Sequence, residues 1–220
     1  MFKLTNKVLK KKVVAEGVFS YINELDHLTS ITCSATDYKH FLDLENITLA
    51  LKVNVAMKLK KIMKKREAST ATKKDFMNSV CSTEIVKVSQ AHIKYITFLF
   101  FKNGLAKLKC PINKQNLTWL CALNGLTQLM TDSTSCYEAK YFNENSSDYV
   151  LDAVLHINKE LRPYVINIIE TVDIPDVVLA SAIGNSYGDI YETHLEWAKN
   201  SKLNKTKLGD AIPDGYMEYM

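Results

Sequence analysis

Apolar residues recur along this chain at intervals of three and four, the spacing that places side chains on one face of an α-helix. The first such pattern predicts an amphipathic helix over residues 1–25. Residues 26–42 show no period and are rich in serine and threonine, so we predict a loop there. Neither an internal repeat nor an alternating strand pattern of useful length is found. The pattern therefore predicts an all-α protein.

Further helices follow from the same spacing and from capping residues. A second helix is predicted over residues 43–68, with Asp43 as its N-cap. A third is predicted over residues 72–108, with a bend at Asn103-Gly104. Its segment SQAHIKYITFLFF is apolar nearly all round, which predicts a position deep in a helical bundle. Asn113 is a suitable cap for a fourth helix that runs to about residue 131.

The last third of the chain is predicted to hold shorter helices. Residues 132–146 are expected to form an irregular acidic connection before a helix that begins at Ser147 or Asp148. Pro163 must bend or divide that helix, because proline lacks an amide hydrogen and clashes with the preceding turn. Two later helices are expected, one capped by Asp176 and ended by Gly184, and one that starts at Asp189. Together the predictions describe an all-α bundle with helices of unequal length.

Composition excludes several classes of protein. Apolar residues make up 47% of the chain and charged residues 24%, which are globular and not disordered values. The five cysteines are odd in number and lack C-x-x-C spacing, so we expect neither a disulfide framework nor a zinc site. The first residues lack a signal-peptide core, and the longest strongly apolar run, residues 95–101, is far shorter than the ~20 residues of a membrane span. Composition alone favours a cytoplasmic protein without a membrane span.

The positive charge is concentrated at one end of the chain. The net charge is +4, yet residues 1–66 carry thirteen Lys/Arg against six Asp/Glu, whereas residues 132–192 carry three against eleven. The lysines around residues 58–66 have two interpretations, which remain open at this point. They either bind the phosphates of a nucleotide-like ligand or occupy a solvated face at the negative end of a helix dipole, and the second is favoured. No nucleic acid is expected as a partner, because no basic patch is interleaved with aromatic residues.

Motifs of common catalytic sites are absent from the sequence. There is no G-x-G-x-x-G, P-loop, G-x-S-x-G or H-E-x-x-H, so no catalytic, cofactor-binding or metal-binding residue is assigned. His92 lies in a buried helical pattern and is expected to be a hydrogen-bonded core residue. Glu192 and Glu196 stand four residues apart without a partner between them, which is unsuitable for a catalytic pair of carboxylates. The helix around Trp197 is therefore predicted to pack through its aromatic residues.

The same C-terminal segment carries a family resemblance. The run SAIG (181–184), then GDIYE (188–192), then EWAKNS (196–201) resembles the C-terminal signature of peroxisomal acyl-CoA oxidases. Weaker similarity covers nearly the whole chain, in the segments GVFSYINEL (17–25), SQAHIKYI (89–96), CALNGLTQL (121–129) and DIPDVVLASAIG (173–184). The signature residues expected to serve in packing are Gly184, Gly188, Tyr191, Glu192, Glu196, Trp197 and Asn204, with His92 in the matching upstream segment.

The resemblance implies a fold and a reaction. It implies an acyl-CoA oxidase C-terminal-like helical domain over residues 43–204, followed by a tail over 205–220. Members of the family bind FAD and a fatty acyl-CoA; a glutamate removes a proton, a hydride passes to the flavin, and O2 becomes H2O2. That glutamate belongs to a segment that matches nothing in this chain, so the chain is expected to be a C-terminal part that is inactive alone. A non-enzymatic helical interaction or dimerisation module is the alternative.

Partners and location also follow from the resemblance, with three departures. The implied partners are a fatty acyl-CoA and either a second copy of the chain or an oxidase chain, and the implied location is the peroxisome. Asn185-Ser186-Tyr187 replaces the Arg-Tyr-Asp that is usual in the family, and Pro163 is foreign to the corresponding helix. The sequence ends in Glu218-Tyr219-Met220 without the family's recognisable targeting tripeptide.

Overall fold

The computed structural model describes residues 1–185 and 187–205. This part of the chain contains helices and no β-strand, as the sequence predicts. The chain divides into two compact units, residues 1–164 and 165–220. The boundary follows Pro163 directly and falls inside the single domain predicted over residues 43–204. The predicted tail lies outside the described residues, apart from Lys205.

Unit 1 contains the longer helices. The α-helices are α1 (Phe2–Leu9), α2 (Leu25–Leu28), α3 (Leu44–Ala68), α4 (Lys73–Asp75), α5 (Ser82–Leu105), α6 (Pro111–Thr131), α7 (Thr134–Glu138) and α8 (Ser146–Leu161). Three-residue-per-turn helices cover Gly17–Glu24, Tyr38–Leu42 and Arg162–Tyr164, and one π-helix covers Phe76–Val80. Helix α3 packs against α5, α6 and α7, while α8 packs against α6 and the short helix Tyr38–Leu42.

The core of unit 1 is built around α3. Asp43 begins this helix, as predicted, and its carboxylate accepts a hydrogen bond from the Glu45 amide at 2.9 Å. Six of the seven residues 50–56 are buried, the exception being Lys52. Neighbours therefore surround α3 on several sides, and it is the central helix of the unit.

The apolar segment of α5 is less buried than its composition predicts. Val88, Ala91, Tyr95 and Phe98 are buried, at the three- and four-residue spacing of one helix face. Ile93 and Phe100 stand on other faces and are 62% and 61% exposed. The prediction that this segment sits deep in the bundle is thus correct for one face only.

The predicted N-terminal helix over residues 1–25 is wrong in its extent. Helix α1 ends at Leu9, and Lys10, Lys11 and Lys12 follow as three adjacent like charges. The chain then turns at Gly17, whose φ of 59° suits glycine, and continues in the short helix Gly17–Glu24. The side chain of Asn23 holds this turn by bonding both the amide and the carbonyl of Ala15 at 2.8 Å.

The predicted loop over residues 26–42 contains structure that its sequence period does not reveal. Helix α2 extends into it, and the short helix Tyr38–Leu42 begins where Asp37 accepts a hydrogen bond from the Lys39 amide at 2.9 Å. Phe41 is fully buried within this segment. Tertiary contacts thus order residues that lack a helical hydrophobic pattern.

Three further boundaries differ from the prediction. The third helix is divided at Cys81, after the π-helix, and α5 ends at Leu105. The fourth helix starts three residues earlier than expected, with Cys110 and not Asn113 at the N-cap, and with Pro111 in its first turn, where the missing amide hydrogen costs no hydrogen bond. The predicted irregular connection 132–146 contains α7. Pro163 does divide the following helix, as predicted, because α8 stops at Leu161.

Unit 2 contains α9 (Val165–Glu170), α10 (Asp176–Leu179), α11 (Ile190–Asn200) and α12 (Lys202–Lys205). Helix α10 has Asp176 as its first residue, and Pro175 occupies the cap position that was predicted for Asp176. The helix ends before Ala180, which adopts the left-handed conformation with a φ of 47°. The prediction that Gly184 ends this helix is therefore wrong. Helix α11 starts after Asp189, as expected. Among the described helices, none is long and apolar enough to cross a bilayer.

Candidate functional site

His92 is a hydrogen-bonded core residue, as the sequence predicts. It is buried on α5, and its Nδ1 lies 3.0 Å from the hydroxyl of Tyr21. The ring of Phe19 stacks on the imidazole with centroids 4.7 Å apart. Nε2 is buried without a hydrogen-bond partner. The contacts join the short helix Gly17–Glu24 to α5, so the histidine positions two elements of unit 1.

Burial controls the protonation of this group. Desolvation lowers the pKa of His92, and it raises the pKa of the Tyr21 phenol. At neutral pH the imidazole is neutral and the phenol keeps its proton. The tyrosine hydroxyl can therefore donate a hydrogen bond to Nδ1.

The lowered pKa of His92 predicts a loss of stability in mild acid. Below about pH 6.5 the unfolded chain takes up a proton that the folded His92 resists, so the free energy of unfolding should fall as the pH falls. His92→Gln, which removes the titrating group, should reduce this pH dependence. We would measure urea unfolding of both proteins at about pH 7.5 and pH 5.5. Equal losses in the two proteins would contradict the prediction, since the other titrating groups are common to both.

The signature segment forms a local polar network before α11. The Asn185 side chain donates to the Asp189 carboxylate at 2.6 Å, and its own oxygen accepts from the Gly188 amide at 2.7 Å. Thr193 also donates to Asp189, at 3.0 Å. Gly188 has a φ of 73°, which favours glycine. Asn185, which stands where the family usually has arginine, thus helps to fix the turn that starts α11.

Gly184 and Asn204 also have local structural roles. A Cβ atom at Gly184 would lie 2.8 Å from the end of the Leu179 side chain, which is 40% exposed and would have to move. The Asn204 side chain donates to the Ala198 carbonyl at 2.7 Å and so satisfies an end carbonyl of α11. Gly184 therefore contacts α10, and Asn204 completes the C-terminal end of α11.

The aromatic residues of α11 do not anchor it within the described chain. Helix α11 has no buried residue; Tyr191 is 85% exposed and Trp197 is 50% exposed. Within the described residues, the Trp197 ring meets the edge of the His194 ring on the same helix, with centroids 5.9 Å apart. Glu192 and Glu196 are exposed, as predicted. A packing role for Tyr191 and Trp197 therefore requires a surface beyond the described residues.

Two of the concave regions of unit 1 are large enough to hold a ligand. The first, which we call the apolar pocket, has a volume of about 590 Å³ and is walled mainly by Ile62, Met63, Phe76, Met77 and Ile85. The second, which we call the lysine groove, has a volume of about 770 Å³ and is lined by residues of α3, α5, α7 and the end of α6. Four of the lysines predicted to occupy a solvated face or bind phosphate line this groove, whereas Lys60 pairs with Asp26.

These regions do not match the needs of a flavin. A flavin requires polar partners for its ring system, held in a partly apolar slot. The buried side-chain polar atoms without a partner, among the described residues, are Asn54 Oδ1, His92 Nε2 and Gln128 Oε1. None of them belongs to the residues that line the apolar pocket or the lysine groove. Neither of these two regions therefore offers the unpartnered buried polar atoms that would hold a flavin ring.

The structure places a cysteine thiol beside a histidine imidazole, and the sequence did not predict this pair. Cys33 Sγ lies 3.5 Å from His40 Nε2, and Asn46 donates to the His40 carbonyl at 2.8 Å. Burial lowers the pKa of His40, which makes its imidazole neutral at neutral pH. Both residues lie in or beside the segment predicted as a loop, where spacing gave no signal. Neither lines the apolar pocket or the lysine groove, so no reaction is assigned to the pair.

The cysteines and the possible metal ligands are separate from one another in the described residues. All five cysteines are free, and burial raises the pKa of the Cys121 thiol to about 11. Within residues 1–185 and 187–205, no cluster of three or more histidine, cysteine or acidic side chains could hold a metal ion.

Similarity to known proteins agrees with this helical architecture. A family model for acyl-CoA oxidase matches residues 43–220. Peroxisomal acyl-coenzyme A oxidase 1 of Mus musculus is 26% identical over 216 residues, which cover 96% of this chain and 32% of that protein. The human protein of the same name is 25% identical and is covered to 33%.

Solved structures show the same fold. Acyl-CoA oxidase 1 of Arabidopsis thaliana matches 99% of this chain with a TM-score of 0.87 and 19% identity, and the match covers 32% of that chain. Acyl-CoA oxidase-1 of Caenorhabditis elegans, complexed with FAD and ATP, matches 99% of this chain with a TM-score of 0.79 and 20% identity. The match covers 33% of that structure.

The described helices define a fold class, the all-α domains that these acyl-CoA oxidase structures share with this chain. Within that class, the chain belongs to the acyl-CoA oxidase family. It spans about a third of the length of the curated relatives that it matches.

Proposed function

We propose that this chain serves as the C-terminal α-helical part of an acyl-CoA oxidase in peroxisomal fatty-acid β-oxidation. The reaction is the FAD-dependent oxidation of a fatty acyl-CoA to a trans-2-enoyl-CoA, with reduction of O2 to H2O2. The observation that carries the proposal is the acyl-CoA oxidase family match over residues 43–220. The peroxisomal relatives, covered across nearly all of this chain, support the same assignment.

The chain has a structural role in this proposal. His92, the family-like histidine, is engaged with Tyr21, and the exposed Glu192 and Glu196 lie on α11 without a described ion-pair partner. No residue matches the general-base glutamate, so no proton transfer is assigned here. The oxidase activity would require the remaining two thirds of the enzyme, which would supply the flavin and the base.

The exposed apolar residues of unit 2 favour a second candidate, an interaction module without enzymatic activity. Val177, Val178, Ile183 and Tyr191 are each more than two thirds exposed. Exposed apolar surface of this kind is typical of regions that a partner covers. Under the first candidate the partner is an oxidase chain or a second copy within an oxidase dimer; under the second, it is any helical protein.

One experiment separates the two candidates. The purified chain is mixed with FAD, desalted and tested by visible spectroscopy, and its mass in solution is measured by light scattering. A peroxide assay with a fatty acyl-CoA follows, for the chain alone and with an equimolar full-length acyl-CoA oxidase. We expect no retained flavin and no peroxide from the chain alone, and a complex with the oxidase.

The design includes a matched control for the interface. Tyr191→Ala with Leu195→Ala removes neighbouring apolar groups of α11, while Glu192→Ala with Glu196→Ala changes a different side of the helix. Only the first pair should weaken the complex. Peroxide from the chain alone would refute its inactivity. A chain that binds neither the oxidase nor another copy of itself would lack both partners of the first candidate, and only an interaction module for a different helical protein would remain.

A further inference from the structure

The lysine groove concentrates positive charge that is far apart in sequence. Six lysines and three carboxylates line it, with two helices supplying all the lysines. The lysines are Lys58, Lys61, Lys64 and Lys65 of α3, and Lys87 and Lys94 of α5. The sequence revealed only the first four as a cluster, because the other two are more than twenty positions away. The fold therefore brings lysines from two helices, α3 and α5, to the same groove.

Three of these lysines are held by carboxylates. Lys58 donates to Asp132 at 2.8 Å and to the Ser135 hydroxyl at 3.1 Å, and its side chain is only 12% exposed. Lys61 pairs with Glu138, and Lys65 pairs with Glu84. These ion pairs join α3 to α5, to α7 and to the residue after α6. They fix the walls of the groove and neutralise the three carboxylates.

The other three lysines leave the groove with an excess of positive charge. None of Lys64, Lys87 and Lys94 forms an ion pair with a residue that the structure describes. The pKa of Glu84 is lowered by its hydrogen bond to Lys65 and also by the charge of Lys87. One carboxylate thus faces two cations, and three positive charges remain without a partner. Like charges held close together destabilise a surface unless an anion binds between them.

A helix dipole does not explain this arrangement. The C-terminal end of α3 carries partial negative charge and stabilises nearby cations such as Lys64 and Lys65. Lys87 lies in the second turn of α5 and Lys94 lies at its middle, and at both positions the dipole gives a cation no stabilisation. Stabilisation by the helix dipole, the interpretation favoured from the sequence, explains the lysines of α3. It does not explain the lysines of α5.

We infer that the lysine groove binds a ligand with two or more linked phosphates, through Lys64, Lys87 and Lys94. Ammonium groups bind phosphate oxygens as point charges, and several of them around a concavity suit a chain of phosphates. The lining residues include no aromatic side chain on which a nucleobase could stack. Recognition should therefore depend on the phosphates, whether they belong to inorganic polyphosphate or to a nucleotide. The inference is independent of the proposed oxidase role.

Calorimetric titration of the full chain tests this inference. The probes are orthophosphate, pyrophosphate, tripolyphosphate, guanosine triphosphate and uridine triphosphate, at about 50 mM salt and again at about 300 mM. We expect one equivalent of tripolyphosphate to bind, more tightly than orthophosphate by at least about tenfold, with a loss of affinity at high salt. Both nucleotides should bind within about threefold of tripolyphosphate. Absence of tripolyphosphate binding, or nucleotide binding tighter by more than about tenfold, would overturn the inference.

A matched pair of variants separates the groove from overall charge. The triple variant Lys64→Ala, Lys87→Ala, Lys94→Ala should lose at least about tenfold in affinity for tripolyphosphate. The control Lys107→Ala, Lys109→Ala, Lys114→Ala removes the same charge from exposed positions outside the groove and should change affinity by less than about twofold. Equal losses in the two variants would show that binding follows net charge, which would overturn the groove as the site.

Lysine footprinting provides a test on the unaltered protein. The chain is acetylated with and without tripolyphosphate, and the rate at each lysine is followed by mass spectrometry. Bound phosphate should slow acetylation of Lys64, Lys87 and Lys94 and leave Lys107, Lys109 and Lys114 unchanged. Uniform protection of both sets, or no protection of the groove lysines, would contradict the inference without any question of misfolding.

Discussion

Replacing Phe41 with alanine is expected to lower the free energy of unfolding of unit 1 by about 3–5 kcal/mol. Phe41 is fully buried, and its ring meets Phe142 edge to face with centroids 5.9 Å apart. The substitution removes this contact and leaves a cavity beside the short helix Tyr38–Leu42, which packs against α8. Urea unfolding followed by circular dichroism measures the loss.

Phe100 provides the control for this substitution. It is also a phenylalanine of unit 1, but it is 61% exposed on α5. Phe100→Ala should change the free energy of unfolding by less than about 0.5 kcal/mol. A loss of stability at Phe41 that is as small as the loss at Phe100 would mean that residues 38–42 do not belong to the core.

Replacing Gly125 with alanine should destabilise unit 1 by about 1–3 kcal/mol, despite the higher helix propensity of alanine. A Cβ atom at this position would lie 2.5 Å from Ile47 Cγ2 and 2.6 Å from Phe98 Cε2. Both neighbours are fully buried, on α3 and α5, so neither can move without disturbing the core. Gly125 on α6 thus allows three helices to approach closely. Thermal and urea unfolding measure the effect.

Gly104 is the matched position, since it is also a helical glycine. A Cβ atom there would meet nothing within 4 Å. Gly104→Ala should therefore leave stability unchanged or raise it by up to about 1 kcal/mol, as helix propensity alone predicts. If both alanine variants were stabilised, the close contact at Gly125 could not be a real constraint on the packing of α6.

Local sequence signals predicted the long helices well. Asp43 begins α3 through its side-chain hydrogen bond, and Pro163 divides the helix that ends at Leu161, because each effect depends on nearby backbone atoms. The short helix around Phe41 was missed for the opposite reason. Its order depends on distant residues such as Phe142, and a hydrophobic period cannot reveal such contacts.

The same distinction applies to the candidate site. The core role of His92 was predictable, because its position falls in the buried stripe of a helix. Its partner Tyr21 was not predictable, since 71 positions separate the two residues. The lysine cluster of α3 was visible in the sequence, whereas its extension by Lys87 and Lys94 required the packing of α5 against α3. The exposed aromatic residues of α11 differ from the expectation, because amphipathic spacing predicts an apolar face but cannot name the surface that covers it.

The chain contains two tryptophans, and the fold places one in each compact unit. Trp119 in α6 is half-buried beside the edge of His156, and Trp197 in α11 is half-exposed beside His194. Indole fluorescence depends on its immediate surroundings, so each unit carries its own optical reporter. Trp119→Phe and Trp197→Phe would separate the two signals. Denaturation curves recorded from the two single-tryptophan variants would reveal whether the two units unfold in one cooperative transition or in two independent ones.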